Sequence, residues 1–462
     1  MSMMTLQQAA AILDARLRGA AGVGFDAVCT DTRTLRPGDL FVALKGPNFD
    51  AHDFVAAAAQ QGAVAALVET EIDCDLPQIV VADTRLALGQ LAAAWRARFQ
   101  GQVIGVTGSN GKTTVKEMLA CILGQQGAVL ATEGNLNNDI GVPLMLLRLR
   151  PGQHRAAVIE MGANHAGEIA YLTRLVQPDV ALITNAAAAH LEGFGSLEDV
   201  AHAKGEIWQG LGKQGTAVIN LDDEFADYWR ELVVDHRSIG FGMVPSADVR
   251  LAEGGVKWTI SQGGYKCSFK IQTPAGAVDV AMNLAGKHNV MNALAAAATA
   301  LVAGATPAHV RTGLESMTPV KGRLEPKVTP WGQLVIDDCY NANPHSLRAA
   351  IDVLLQAPGE TILVLGDMAE LGAQADELHY QVGVEAREKG VDLLLACGQH
   401  CRQAVQGFGD KGICFDDQQA LKRHLLTLLS EAAHRDAVVL VKGSRSAAMD
   451  KVVDSLVAGE AL

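Results

Sequence analysis

A lysine and two threonines, Lys112-Thr113-Thr114, stand directly behind the run Thr107-Gly108-Ser109-Asn110-Gly111. Residues of these types at this spacing can hold a nucleoside triphosphate. Glycines let the backbone curl until several N–H groups face one anion, and the free N–H groups at a helix start add the positive end of its dipole. The Lys112 ammonium then reaches the β- and γ-phosphates, while the Thr113 hydroxyl is an oxygen ligand for Mg²⁺. Thr107, Gly108, Ser109, Asn110, Gly111, Lys112, Thr113 and Thr114 are therefore the expected triphosphate-binding loop. The general phosphate-loop pattern has a glycine where Val106 stands, and Gly105 and Gly108 lie on either side of it instead.

Such a loop needs a buried strand before it and a helix after it. The apolar run at 103–106 supplies the strand, and Val115, Met118, Leu119 and Ile122 fall on one helical face behind Lys112. Further short apolar runs at 129–132, 156–160, 180–185 and 216–220 predict a parallel sheet around it. Residues 248–280 alternate polar and apolar between glycines and a proline, which predicts antiparallel hairpins without evident chemistry. An alanine-rich helix follows at 293–303, too short to span a bilayer. Ahead of this block, a helix carrying Leu6, Ala9, Ala10 and Leu13, strands at 39–44, 63–68 and 78–81 and a helix at 54–59 form a smaller unit. Behind it, Pro319-Val-Lys-Gly-Arg323-Leu-Glu-Pro326 reads as a hinge, and strands at 334–336, 361–365, 392–396 and 437–441 alternate with helices.

The expected fold class is thus α/β in three domains. Residues 1–82 form a small α/β domain, and 83–312 a central phosphate-loop domain with a parallel sheet, an antiparallel annex and a linker helix at 84–99. Residues 313–462 form a Rossmann-like doubly wound domain. At 462 residues the chain is too long for a single core.

Several other side chains carry more polarity than their loops need. Glu160 ends an apolar strand, where an acid near a phosphate loop is the usual Mg²⁺ partner of the loop threonine. Asn135, Asn137 and Asn138 crowd one segment with Asp139 and two glycines, a set that suits a sugar, peptide or phosphate ligand. His190, beside glycines, reads equally as a hydrogen-bonded loop residue, and Lys204 as a surface lysine on a helix. Thr32 and Arg33, and Asn48, Phe49 and His52, lie in polar loops that solvation alone would explain. The motif Cys397-Gly-Gln-His400-Cys401 lacks a second ligand cluster, so unpaired thiols are expected there.

Composition sets outer bounds. With 51 acids against 38 Lys and Arg and a formal charge of −13, a nucleic-acid surface is excluded, because phosphate backbones demand a basic footprint. Hydrophobic residues at 49% and charged residues at 19% predict a soluble chain without membrane insertion. The eight cysteines are scattered as in a reducing compartment, and residues 1–19 do not follow a secretion-signal pattern. The expected location is cytoplasmic.

The phosphate loop Thr107–Thr114 resembles that of the Mur ligase family, which builds the peptide of cell-wall precursors. The resemblance continues in family order from Thr30 to Met449. It implies that Thr32, Arg33, Asn48, Phe49 and His52 hold the uridine diphosphate end of a substrate, with Asn135, Asn137 and Asn138 on the substrate side. It places Asn289 and Asn292 near adenine, directs Arg323 at an ATP phosphate, and makes Asp338 a ribose or Mg²⁺-linked contact. His190 and Lys204 match a histidine and a lysine of the family, and that lysine is carbamylated there, so the same modification is implied for Lys204. With Thr113, Glu160, His190 and Lys204 as metal-site residues, about two Mg²⁺ ions are expected. The catalytic set is Lys112, His190, Lys204 and Arg323.

Gly366-Asp-Met-Ala-Glu-Leu-Gly372 and Lys442-Gly-Ser-Arg445-Ser match the branch of the family that adds D-alanyl-D-alanine, with Lys442 and Arg445 as carboxylate partners. The implied reaction is ATP-dependent joining of D-alanyl-D-alanine to UDP-N-acetylmuramoyl-tripeptide through an acyl phosphate, by a monomer whose domains close about a hinge. The sibling that adds the third residue is disfavoured by the absence of its Asp-Asn-Pro-Arg signature, and folate polyglutamylation by the amino-terminal domain. A phosphate-loop switch that joins nothing is the alternative from another class.

Overall fold

The computed structural model describes residues 2–187, 191–261 and 264–460. Its first sheet has the strand order Arg16–Arg18, Gln78–Val80, Ala65–Val68, Asp39–Val42, Ala27–Cys29, parallel except for the first pair. The two outer strands are three residues each and only partly buried, so they lack the apolar run that revealed the inner ones. The helix Thr84–Arg96, capped by Asp83, buries Leu88, Leu91 and Trp95 and leads into the second sheet.

That second sheet is ten-stranded. Val129–Ala131, Ala156–Glu160, Gln102–Thr107, Val180–Ile183, Thr216–Asn220, Arg237–Gly242 and Val249–Leu251 run parallel in that order. The hairpins of Lys257–Ser261, Gly264–Thr273 and Gly276–Met282 continue it, because Gly264–Thr273 pairs antiparallel with Val249–Leu251. The expected annex is therefore an extension of the central sheet. Register aligns Glu160 with Val106 and Ile183 with Thr107, so three strands end level where parallel sheets bind ligands.

Behind the loop, the helix Lys112–Gly124 buries Val115, Met118, Leu119 and Ile122 completely. It packs against Lys287–Val302, whose buried alanines allow close approach, and against Pro307–Ser316. At Gly313 a Cβ would lie 2.5 Å from Ile122 Cα, so this helix belongs to the central body. The position 312/313 falls inside it, and the passage to the third sheet comes after Ser316.

The third sheet has the order Glu325–Val328, Leu334–Asp338, Val438–Lys442, Thr361–Gly366, Leu393–Cys397, Gly412–Phe415, with only the first pair antiparallel. Alternate residues feed two cores, Leu363 and Leu365 on one face and Ile362 and Val364 on the other, as a doubly wound sheet requires. Among the described residues no helix is long and apolar enough to cross a membrane.

The central hairpin and the third domain share a core. Tyr265 is 4% exposed and packs with Ala285, Leu324 and Leu334, and its hydroxyl has no hydrogen-bond partner among the described residues. A buried unpaired hydroxyl costs free energy that a phenyl ring does not. Tyr265→Phe should therefore leave stability in chemical denaturation unchanged or raised by about 1 kcal/mol. Tyr265→Ala should cost about 3–5 kcal/mol through the cavity it opens between the domains.

Candidate active site

The level strand ends open into a cleft of about 1820 Å³ between the central and third domains. The phosphate loop forms its floor and is held from the next strand. Thr184 Oγ1 donates to the Asn110 carbonyl at 2.6 Å, and Asn185 Oδ1 accepts the Asn110 N–H at 3.0 Å. Ser109 Oγ accepts the Ala187 N–H at 2.9 Å and donates to the Ala187 carbonyl at 3.1 Å, while Thr107 Oγ1 donates to the Met161 carbonyl at 2.8 Å. Gly108 has φ +140°, and a Cβ there would lie 2.0 Å from Thr184 Oγ1, so glycine is obligatory at this approach. Thr114 is buried on the first helical turn.

Lys112 folds back so that Nζ donates to the carbonyls of Gly108 at 2.6 Å and Ser109 at 3.2 Å. Burial holds its pKa below the usual lysine value; nearby Arg323 pushes the same way and Glu160 opposes it. An anion seated over the loop would restore a charge partner to this ammonium.

Glu160 is 2% exposed, and both its oxygens are used. Oε2 accepts the Thr113 hydroxyl at 2.9 Å and Oε1 accepts Asn137 Nδ2 at 2.9 Å. From the third domain, Arg323 Nη2 donates to Thr113 Oγ1 at 3.0 Å, its guanidinium lies 4.3 Å from the Tyr340 ring centroid, and its buried Nε has no partner among the described residues. Adjacent hydroxyl and carboxylate oxygens are the hard donors that Mg²⁺ takes, so the Thr113 and Glu160 side chains fit that ion.

Lys204, on the helix Leu197–Gly205, is 2% exposed, with Nζ 5.1 Å from the centroid of the Phe194 ring. Burial, reinforced by the Lys112 charge, pushes its ammonium down to about 7. The expectation of a surface lysine from composition alone is thus replaced by a buried amine. His190 lies outside the described residues.

The hinge is fixed by an ion pair. Lys442, 1% exposed, pairs with Asp338 Oδ2 and donates to the Asn341 carbonyl at 3.0 Å, while Asp338 Oδ1 accepts the Leu324 N–H at 3.1 Å. Leu324 has φ +50°, a conformation that L side chains rarely adopt, so this hydrogen bond holds a strained residue immediately after Arg323. Asp338 and Lys442, expected to meet ribose and substrate carboxylate, spend their charges on each other because the strands Leu334–Asp338 and Val438–Lys442 bring them side by side.

Other candidate side chains are likewise engaged within the protein. Asn138 Oδ1 accepts the N–H groups of Gly141 at 2.8 Å and Ile140 at 3.3 Å, so its oxygen serves the turn before the helix Gly141–Leu147, while Asn138 still lines the cleft. His52 offers no ring nitrogen to a ligand, since Nδ1 meets Asp50 at 2.5 Å and Nε2 accepts the Glu69 N–H at 2.8 Å. Asn289 Nδ2 donates to the Ala285 carbonyl at 2.7 Å and its Oδ1 accepts Asn292 Nδ2 at 3.1 Å, with Asn292 Oδ1 against Gly111. Both still line the cleft.

Thr32, Arg33, Asn48 and Phe49 stand outside this cleft, on the first domain. Arg33 is held by Asp31 at 2.6 Å yet remains mostly exposed, and Phe49 is 59% exposed. Asn135 and Arg445 line the cleft, Arg445 with Asp450 3.5 Å away. The two loops matched at 366–372 and 442–446 are joined, with Ser444 donating from N and Oγ to the Asp367 carbonyl at 2.9 and 2.7 Å. Asp367, His379 and Cys401 cluster, but Asp367 caps the N–H groups of Gln399, His400 and Cys401, and both nitrogens of His379 are bonded. Sequence reasoning missed Thr184, Asn185, Tyr340 and Asn343. Tyr340 and Asn343 lie in the segment 337–344, which resembles the family loop that closes over the nucleotide but from which only Asp338 was chosen, and the place of Asn343 before Pro344 is typical of a helix cap.

Comparison with known proteins gives three family matches. The Mur ligase family catalytic domain matches residues 25–96, the Mur ligase middle domain 106–300, and the Mur ligase glutamate ligase domain 322–445. The chain is 48% identical to the UDP-N-acetylmuramoyl-tripeptide–D-alanyl-D-alanine ligase of Escherichia coli strain K12, over 98% of each chain. A crystal structure of MurF from Acinetobacter baumannii aligns with TM-score 0.92 and 40% identity over 98% of each chain. MurF from Thermotoga maritima in complex with ADP aligns with TM-score 0.81 and 29% identity, over 94% of this chain and 97% of the other.

Because the folded Lys204 amine titrates near 7 against an ordinary value of 10.5, the unfolded chain binds more protons between those limits. Stability should therefore rise with pH through that window. In CO₂-free buffer at pH 7, Lys204→Met should be more stable than the parent by about 2–4 kcal/mol, and the gap should close towards pH 10. Denaturant melts of both proteins across this range measure it.

Proposed function

Because this chain belongs to the Mur ligase family, we infer that it is the ATP-dependent ligase that joins D-alanyl-D-alanine to UDP-N-acetylmuramoyl-tripeptide. The product is the UDP-linked pentapeptide used to build peptidoglycan. The observation that carries the reading is the meeting of Lys112, Thr113, Glu160 and Arg323 at one end of the cleft, in a chain 48% identical over its length to a ligase of that name.

A carboxylate is a poor electrophile, so the tripeptide carboxylate first attacks the γ-phosphorus of ATP. The bond from γ-phosphorus to the bridging oxygen breaks, ADP leaves, and an acyl phosphate remains. The dipeptide amine then adds to the acyl carbon, loses a proton, and expels phosphate as the amide forms. Along this path the Lys112 ammonium leaves the loop carbonyls for the phosphoryl oxygens, and Arg323 Nε, without a partner among the described residues, offers a further donor. Mg²⁺ on the Thr113 and Glu160 oxygens, as this family uses it, would supply positive charge beside the transferring group. Asn137 holds Glu160 in the rotamer that faces Thr113.

The remaining roles follow from position. The first-domain loops with Thr32, Arg33, Asn48 and Phe49 take the uridine diphosphate end, and Asn135 lies on the peptide side. Asn289 and Asn292 shape the adenine end, and Arg445 with the loop Gly366-to-Gly372 receives the dipeptide carboxylate. Lys204 is the residue to be carbamylated: burial favours its neutral amine, which can add to CO₂ and lose a proton, and the resulting carbamate would offer an anionic oxygen to a second Mg²⁺. The ligase is a monomer with domain boundaries near residues 82 and 317. Joining substrates held on three domains requires hinge closure.

Phosphate release should require UDP-tripeptide and D-alanyl-D-alanine together, and Lys112→Ala should lower kcat by about 10²–10³-fold without unfolding the chain. Equal ATP hydrolysis with either substrate alone would overturn the ligase reading in favour of a switch.

A further inference from the structure

The side chain of Asn110 sits in the turn of the phosphate loop, and its backbone is pinned on both sides by Thr184 and Asn185. Its amide is not held by the central domain. Oδ1 accepts Asn343 Nδ2 at 2.9 Å, a bond between residues 233 apart that crosses the cleft from the third domain. The other end, Asn110 Nδ2, is buried and has no partner among the described residues. Asn110, Lys112, Arg323 and Asn343 all line the same cleft.

A carboxamide has one accepting and one donating end, so fixing the first fixes the second. With an N–H of Asn343 on Oδ1, the Asn110 NH₂ must point the other way. Turned over, the amide would set NH₂ against NH₂ and present an oxygen where the free donor now stands. We propose that Asn343 is a positioning residue: docking of the third domain orients the Asn110 amide so that its NH₂ is offered to the phosphate chain seated over the loop. Two buried donors without a partner among the described residues, Asn110 Nδ2 and Arg323 Nε, thus flank the junction in the same docked arrangement. The loop thus gains a triphosphate-directed donor when the third domain is in place.

Asn343 also caps the helix Pro344–Leu354, its Oδ1 accepting the Ser346 N–H at 2.8 Å. The two jobs use opposite ends of one amide and can be separated. Asp and Ser cap helices about as well as Asn, so Asn343→Asp and Asn343→Ser keep the helix while removing the donor. This inference rests on the reading of the loop as an ATP site, which calorimetry of the parent with ADP and a non-hydrolysable ATP analogue tests separately. No nucleotide binding by the parent would sink that reading itself.

With binding in hand, both variants should melt within about 2 °C of the parent and keep the KM for UDP-tripeptide. Their kcat should fall by about tenfold or more, with Asn343→Asp the worse because it drives the Asn110 amide over, and their preference for the triphosphate analogue over ADP should shrink. Asn110→Ala should reproduce the loss, and Asn343→Ser added to it should cost nothing further. Parental kcat in both Asn343 variants, or losses that add in the double variant, would overturn the proposal. Should Asn343→Ser melt early, the Asp variant carries the same test.

Discussion

The hydroxyl of Thr113 is the meeting point of the molecule. It donates to Glu160 at the end of one parallel strand and accepts from Arg323 in the third domain, both at about 3 Å. A hydroxyl has one hydrogen to donate and lone pairs to spare, so it can bridge a carboxylate and a guanidinium. The rest of the fold serves to bring those two groups to it. Strand register levels Glu160 with the loop, and the hinge delivers Arg323 from 210 residues away.

Delivery of Arg323 depends in turn on a buried ion pair. Asp338 and Lys442 sit on neighbouring strands, nearly removed from water, where the loss of one partner leaves an uncompensated charge. Their pairing leaves Asp338 Oδ1 to hold the strained Leu324, and Tyr340, two residues on, supports the guanidinium face. The third domain is thus braced to present one arginine, and its shared core with the central hairpin around Tyr265 gives the two bodies a common bearing.

Much of this was legible in residue order. The phosphate loop, the helix behind it and the strand ending in Glu160 follow from glycine placement and apolar spacing, and the structure carries them as expected. The short outer strands Arg16–Arg18, Ala27–Cys29 and Gly412–Phe415 were not legible, because a half-buried three- or four-residue edge has no period to detect. Lys204 shows the limit in another form. Val200 and Ala201, one turn back, share its apolar face, but a long lysine there can still reach water, so its burial is decided by Phe194 and the packing around it.

By itself the sequence determined which groups can bind phosphate and metal, since backbone curvature and donor type are local properties of Gly108, Gly111, Lys112 and Thr113. It also determined the three-domain α/β order, through hydrophobic spacing. Only the tertiary structure decided which polar side chains remain free for a ligand and which are consumed. Lys442 is paired with Asp338 and His52 is held by Asp50 and Glu69, while the NH₂ of Asn110 has no partner among the described residues. A buried polar group takes whatever partner the fold sets beside it, and that partner can be as distant in the chain as Asp338 is from Lys442.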